Sequence, residues 1–133
     1  MGFVIFEAHS GWRYVVILVA VLAILKYLIG WLGRGRWSNL DRWLGLLTPV
    51  TLDIQFLLGL ILWITQARWT GADVLRSWEH PVTMIITVAL AHMTWNRVKR
   101  AGADADKYRS GAIGFLITGI VLALGIARIT STL

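Results

Sequence analysis

The stretch WEHPVTMIITVALAHMTWNRVKR, residues 78–100, decides the class of this protein. Between Trp78 and Glu79 at one end and Trp95, Arg97, Lys99 and Arg100 at the other lies an apolar run that holds His80 near its start and His92 near its close. An apolar segment with aromatic and charged ends reads as a helix crossing a bilayer. Two of the chain's three histidines sit at opposite mouths of that helix, so its polar chemistry is arranged by depth.

Composition agrees. With 57% hydrophobic and only 15% charged residues, and a mean hydropathy of +0.68, the chain is more apolar than a soluble domain of its size. Its 133 residues leave room for one domain of about four spans and none for a separate soluble catalytic domain. The net charge of +6 is concentrated between apolar runs, as membrane orientation produces by itself, so nucleic acid is not the expected partner. Without cysteine there is no disulfide, thiolate metal site, iron–sulfur cluster or covalently attached c-type haem. The start of the chain has no basic n-region and no small-residue cleavage site, which predicts that the first span is retained.

The expected architecture is an all-α integral membrane four-helix bundle with spans at about 12–32, 44–63, 81–95 and 111–128. Gly33 and Gly35 mark the exit of the first span, and Ser38, Asn39 and Asp41 suit the start of the next helix. Pro49 removes one backbone donor inside the second span and predicts a kink. Gln66 to Ser77 reads as a polar connection with Gly71 and Asp73 as turn residues, while Pro81 is tolerated in a first helical turn. A tail from Ile129 to Leu133 is too short to fold separately. No internal repeat points to an inverted-repeat transporter.

Lys and Arg near span ends are retained on the cytoplasmic side. The loops after the first and third spans carry eight of them, Arg34, Arg36, Arg42, Arg97, Lys99, Arg100, Lys107 and Arg109. The other face carries four, Arg13, Arg68, Arg76 and Arg128, which predicts both termini outside a multi-pass protein of the cytoplasmic membrane. Tryptophan follows the same division: Trp12, Trp63, Trp69 and Trp78 at the outer boundary, Trp31, Trp37, Trp43 and Trp95 at the inner one.

This topology sorts the ionisable residues into two levels. Near the outer surface lie Glu7, His9, Arg13, Glu79, His80 and Arg128; deeper toward the inner side lie Lys26, Asp53 and His92. His9 and His80 share a depth on different helices, the minimum arrangement for two axial nitrogens on one b-type haem, with Arg13 and Arg128 able to pair with its propionates. The bland alternative is an interfacial salt-bridge cluster of the same histidines with Glu7 and Glu79. Gly114, Thr118, Val121, Gly125 and Arg128 make a narrow small-residue stripe for a neighbouring helix or a flat cofactor. Lys26 is close enough to its helix end to snorkel. Asp53 is expected to face the bundle interior, against Lys26, His92, Thr48 or the backbone freed by Pro49, as a proton relay or a structural polar cluster. Glu7, His9, Glu79 and His80 have metal-ligand chemistry but no spacing signature, and a lone His80 or His92 suits a chlorophyll magnesium equally. No phosphate-binding glycine loop or nucleophile elbow marks a self-contained hydrolase.

Three segments, AHSGWRYVVIL (8–18), WSNLDRWLGLLTPVTLDIQFLLGLIL (37–62) and WEHPVTMIITVALAHMTW (78–95), together resemble a family of small four-span bacterial membrane proteins often named cytochrome-b-like. The resemblance covers nearly the whole chain, and its matching positions are His9, Ser10, Gly11, Arg13, Tyr14, Asp53, Gln55, Gly59, His80 and His92. It implies the four-span topology and a haem b. Two-haem membrane cytochromes pair histidines at both depths, whereas this chain offers a pair at the outer level alone, so a second haem is not expected. The function so implied is a small membrane subunit associated with electron transfer, binding haem b or a quinone head, in contact with lipid and other membrane subunits. The alternative is a cofactor-free accessory subunit of a larger respiratory or photosynthetic complex.

Overall fold

A computed structural model of the protein describes residues 2–71 and 73–130, so the last three residues of the expected C-terminal tail lie outside the described residues. It is all-α: α1 (Gly2–Leu32), α2 (Asn39–Thr65), α3 (His80–Arg100) and α4 (Asp104–Thr130), with no strand among the described residues. Every helix outruns the expected span: polar ends continue α2, α3 and α4 beyond their apolar runs, and α1 extends through the apolar residues Phe3–Phe6. The largest difference is at α1, which begins ten residues before the expected Trp12. Glu7 and His9 therefore stand in a helix and not in a lead segment.

The start of α2 is set by a reciprocal cap. The Ser38 hydroxyl accepts from the Asp41 amide while the Asp41 carboxylate accepts from the Ser38 amide, which satisfies donors at the helix N-terminus. The helix then continues through Pro49 to Thr65. The connection to α3, expected to be irregular, is mostly wound. A 3₁₀ turn at Arg68–Thr70 is bounded by left-handed Ala67 and Gly71 (φ 51° and 76°), and a π-helical turn at Leu75–Glu79 runs directly into α3. The three-residue connection between Arg100 and Asp104 turns α4 back along α3.

Each helix packs against its chain neighbours, and α4 closes the ring against α1. Buried inside are small and hydroxylated residues, among them Ala20, Ala23, Ala91, Ala112, Thr48, Thr87, Thr94 and Thr118. The four threonines donate to carbonyls four residues earlier, at 2.8–2.9 Å, so they cost no unpaired polar group. Leucine, isoleucine and valine face outward on all four helices, for instance Leu18, Leu57, Ile85 and Leu124. Small residues at helix contacts and large aliphatics on the outer face are what close helix packing in lipid selects.

Three helices, α1, α2 and α4, are long and apolar enough to cross a membrane. The chain is an all-helical protein with membrane-spanning character, and α3, expected as a fourth span, falls short on apolarity. It is 21 residues long and gives up hydropathy to three threonines, His92 and the run from Asn96 to Arg100. Its outward residues Val82, Ile85, Ile86 and Met93 are nonetheless as apolar as those of the other helices.

Two cores stack along the bundle. At the end bearing the basic loops, Tyr27, Trp95, Tyr108 and Phe115 pack with Leu44 and Val98. Gly45 and Gly111 make room for this cluster: a methyl on Gly45 would collide with the Tyr27 hydroxyl and the Trp95 ring, and one on Gly111 with the Tyr27 ring. Trp95, placed by the sequence in an aromatic belt, is thus a buried core residue. Nearer the other end, Val16, Leu52, Met84, Ala91 and Leu122 form the second core, and the histidine pair lies beside it.

Candidate functional site

His9 and His80, which the sequence joins by depth alone, do come together. α1 carries His9 in its third turn, and the π-helical turn delivers His80 as the first residue of α3. The two rings meet edge to face, centroids 6.5 Å apart and planes at 83°. Each has a buried Nδ1 with no hydrogen-bond partner among the described residues. An unpaired buried polar atom is uncommon in a folded protein and calls for a ligand or a cost.

α2 completes the site with Gln55 and Gly59, one turn apart. The Gln55 amide donates to the His9 carbonyl at 2.9 Å, while its Oε1 is buried and also unpartnered among the described residues. Gly59 lies under the His9 ring: a Cβ there would stand 3.1 Å from His9 Cε1. Trp63, one further turn along, donates its indole N–H to the Ser77 carbonyl at 2.7 Å and packs against Trp69 and Trp78. That bond ties α2 to the π-helical turn and so fixes His80.

Two recesses, of about 120 and 230 Å³, lie back to back and share His9, Gln55, Arg68, Arg76, His80 and Met84 as walls. Arg13 lines the smaller one. Three guanidiniums thus border the site, and among the described residues no carboxylate lines either recess. Arg13 bonds the Tyr14 hydroxyl, Arg68 the Gln66 side-chain oxygen and Arg76 the Asp73 carboxylate, at 2.8 Å. Burial, with Arg76 nearby, pulls the Arg68 guanidinium below its ordinary value. The hydrogen bond from Arg76 holds the Asp73 carboxyl below the usual carboxylate range. The balance at the cavity is positive, in apolar surroundings where an anion is strongly attracted.

In the sequence Arg68 and Arg76 count for orientation only, since a polar connection gives no sign of which way its side chains turn. Gln55 and Gly59 carry a fainter signal, being one turn apart on α2. Arg128, expected beside the same ligand, is bound elsewhere: its Nε donates to Glu79 at 2.9 Å, and with Glu79 it borders a different recess. The stripe leading to it faces α3, for Gly114 sits against Thr94 and Gly125 against Met84 and Thr83.

The deeper trio is not one cluster. Lys26 reaches across to Asp41, 2.7 Å away and wholly buried, which also accepts from the Tyr108 hydroxyl at 2.6 Å and from Ser38. Asp53 lies instead beside His92, whose Nε2 stands 2.8 and 3.0 Å from its two oxygens. Contrary to expectation this pair does not face the bundle interior; the side chains are 45% and 47% exposed at the outer seam of α2 and α3. Lys26 has a nearer carboxylate in Asp41, which the sequence marks only as a helix start.

Compared with family models, with curated proteins and with solved structures, the chain matches none of them. Among the described residues no group of three or more histidines and carboxylates is gathered as a metal site. The histidine pair is therefore a two-nitrogen donor set, too few for a bare metal ion in a closed site but the number that an axially ligated macrocycle needs.

Proposed function

We propose that this chain is a four-span subunit of the cytoplasmic membrane that carries electrons, holding a b-type haem between His9 and His80 at the outer end of the bundle. The observation that carries the reading is the buried, unpartnered nitrogen on each of two histidines from different helices. Both histidines line the two shared recesses, so a group held there would find one imidazole from each of two helices.

A bound haem supplies one-electron exchange, and the rest falls to the chain. Gln55 and Gly59 hold His9 against α2, and the Trp63 bond to Ser77 holds the turn that presents His80. Arg13 and Arg68 would neutralise carboxylates of the propionate type, Arg76 being held by Asp73; the sequence suggests that role for Arg13 and Arg128. Phe6, Val16, Met84, Leu122 and Ile126 keep water away, which sets a low local dielectric. α3 completes the spanning bundle, its Thr87 and Thr94 bonded to its own carbonyls and its His92 to Asp53 of α2.

The test is a reduced-minus-oxidised spectrum of the purified protein. A b-type difference spectrum is expected for the native chain and for His92→Ala, and none for His9→Ala or His80→Ala. Loss of pigment in His92→Ala with retention in His9→Ala sinks the ligand assignment. No pigment in any preparation turns the reading to a cofactor-free accessory subunit.

A further inference from the structure

The Asp53–His92 pair plays no part in the haem reading, and its position is anomalous. Asp53 is one residue, and His92 two, from the midpoint of its helix, so both lie within about 3 Å of mid-height at 1.5 Å per residue. A carboxylate and an imidazole half exposed at that level would face lipid hydrocarbon. Ionisable groups in spans face a bundle interior or a watery cavity, because hydrocarbon offers their remaining lone pairs and protons nothing. Neither member of the pair lines the two recesses of the histidine site or the one bordered by Glu79 and Arg128. A polar pair outside those recesses suits a protein partner better than a small ligand.

We propose that the α2–α3 seam is a dimer interface covered by a second copy of this chain, with the two Asp53–His92 pairs meeting at its centre. The seam is self-complementary. Two copies in one membrane share orientation, so a two-fold axis along the membrane normal brings residues of equal depth together. Asp53 and His92 are at equal depth because they bond each other. Across the axis each carboxylate meets the imidazole of the second copy, and the four groups close a ring in which acceptor follows donor. The flanks of the pair match this use. Ala89, one turn from His92 and exposed, lets a facing helix approach closely, and exposed Asn96, one turn the other way, adds an amide that can bond across the seam.

The chain has no cysteine, so single thiols report the contact in native membranes of cells making the full-length protein. Oxidation should convert Ala89→Cys to a disulfide-linked dimer and leave Leu124→Cys, on the exposed face of α4, monomeric. Adding Asp53→Ala to Ala89→Cys should lower the cross-linked fraction by about threefold or more, the scale of one interhelical hydrogen bond in lipid. The exchange Asp53→His with His92→Asp keeps the ring and should restore it. Helical content of the variants separates lost contact from lost fold, and the exchange variant keeps the test decisive even where Asp53→Ala misfolds. A monomeric Ala89→Cys protein, equal cross-linking through Leu124→Cys, or a dimer indifferent to both Asp53→Ala and the exchange overturns the proposal. The haem spectrum is read separately, and its absence leaves this outcome unaffected.

Discussion

Asp41 is the residue on which most of the inner half depends, and only part of its role is legible in the sequence. The spacing Ser38 to Asp41 announces a capped helix, which is a local property of the chain. That the same carboxylate gathers Lys26 and Tyr108 depends on how α1 and α4 pack, and no local pattern encodes it. Its replacement should be severe. Asp41→Ala strands a lysine and the Ser38 donors and leaves the Tyr108 hydroxyl the Arg36 carbonyl, 2.7 Å away, as its acceptor; removing one partner of a buried pair costs about 3–5 kcal/mol. Asp41→Asn keeps an acceptor and should lose less. Unfolding of the detergent-solubilised protein, followed by circular dichroism, should rank native above Asn above Ala; equal stability of the two variants would contradict that role for the carboxylate. The histidine site makes a smaller residue-scale prediction. Gly59→Ala requires His9 to give by a few tenths of an ångström, whereas Gly59→Leu should displace the ring and lose pigment at unchanged helicity. The glycine is visible in the sequence, but what lies over it is not.

At the scale of elements, hydropathy locates the helices well because each contains a long apolar run, and it misjudges their ends because polar residues can continue a helix outside hydrocarbon. The ten added residues of α1 matter most, since they turn His9 from a residue of uncertain height into one fixed opposite Gly59. The connection before α3 reads as irregular because Gly71 and Asp73 are turn residues; Leu75–Glu79 carry no comparable marker of π winding. Packing at the inner end gives the test. The Tyr27 ring lies over Gly111 and its hydroxyl, bonded to the Asp41 carbonyl at 2.6 Å, lies over Gly45. Gly111→Ala and Gly45→Ala should each destabilise by about 1–3 kcal/mol, as overpacking does. Tyr27→Phe removes the hydroxyl bond without filling space and should cost about 1 kcal/mol. A glycine variant as stable as the native chain in the same unfolding measurement contradicts the observed close approach of α1, α2 and α4.

The whole molecule turns on which end faces which side of the membrane. Residues 34–42 and 97–109 lie at one end of the bundle with eight basic residues, and the histidine site lies at the other with Arg13, Arg68, Arg76 and Arg128. Two of those four are accounted for by neighbouring carboxylates, Arg76 by Asp73 and Arg128 by Glu79. At the first end Lys26 is matched by Asp41 within the bundle, while Arg34, Arg36, Arg97 and Arg100 are exposed. Exposed surface charge of that kind is what retains a loop in the cytoplasm. A thiol at Ala103, exposed between α3 and α4, should therefore resist a membrane-impermeant maleimide on intact cells and react once they are permeabilised. A thiol at Thr70, exposed in the connection beside the histidine site, should react from outside in both states. Neither side chain makes a capping hydrogen bond, unlike that of Ser38, so the labels report sidedness and not unfolding. The reverse pattern would put the arginine-lined cavity on the cytoplasmic face and reverse the assignment of the two polar levels with it.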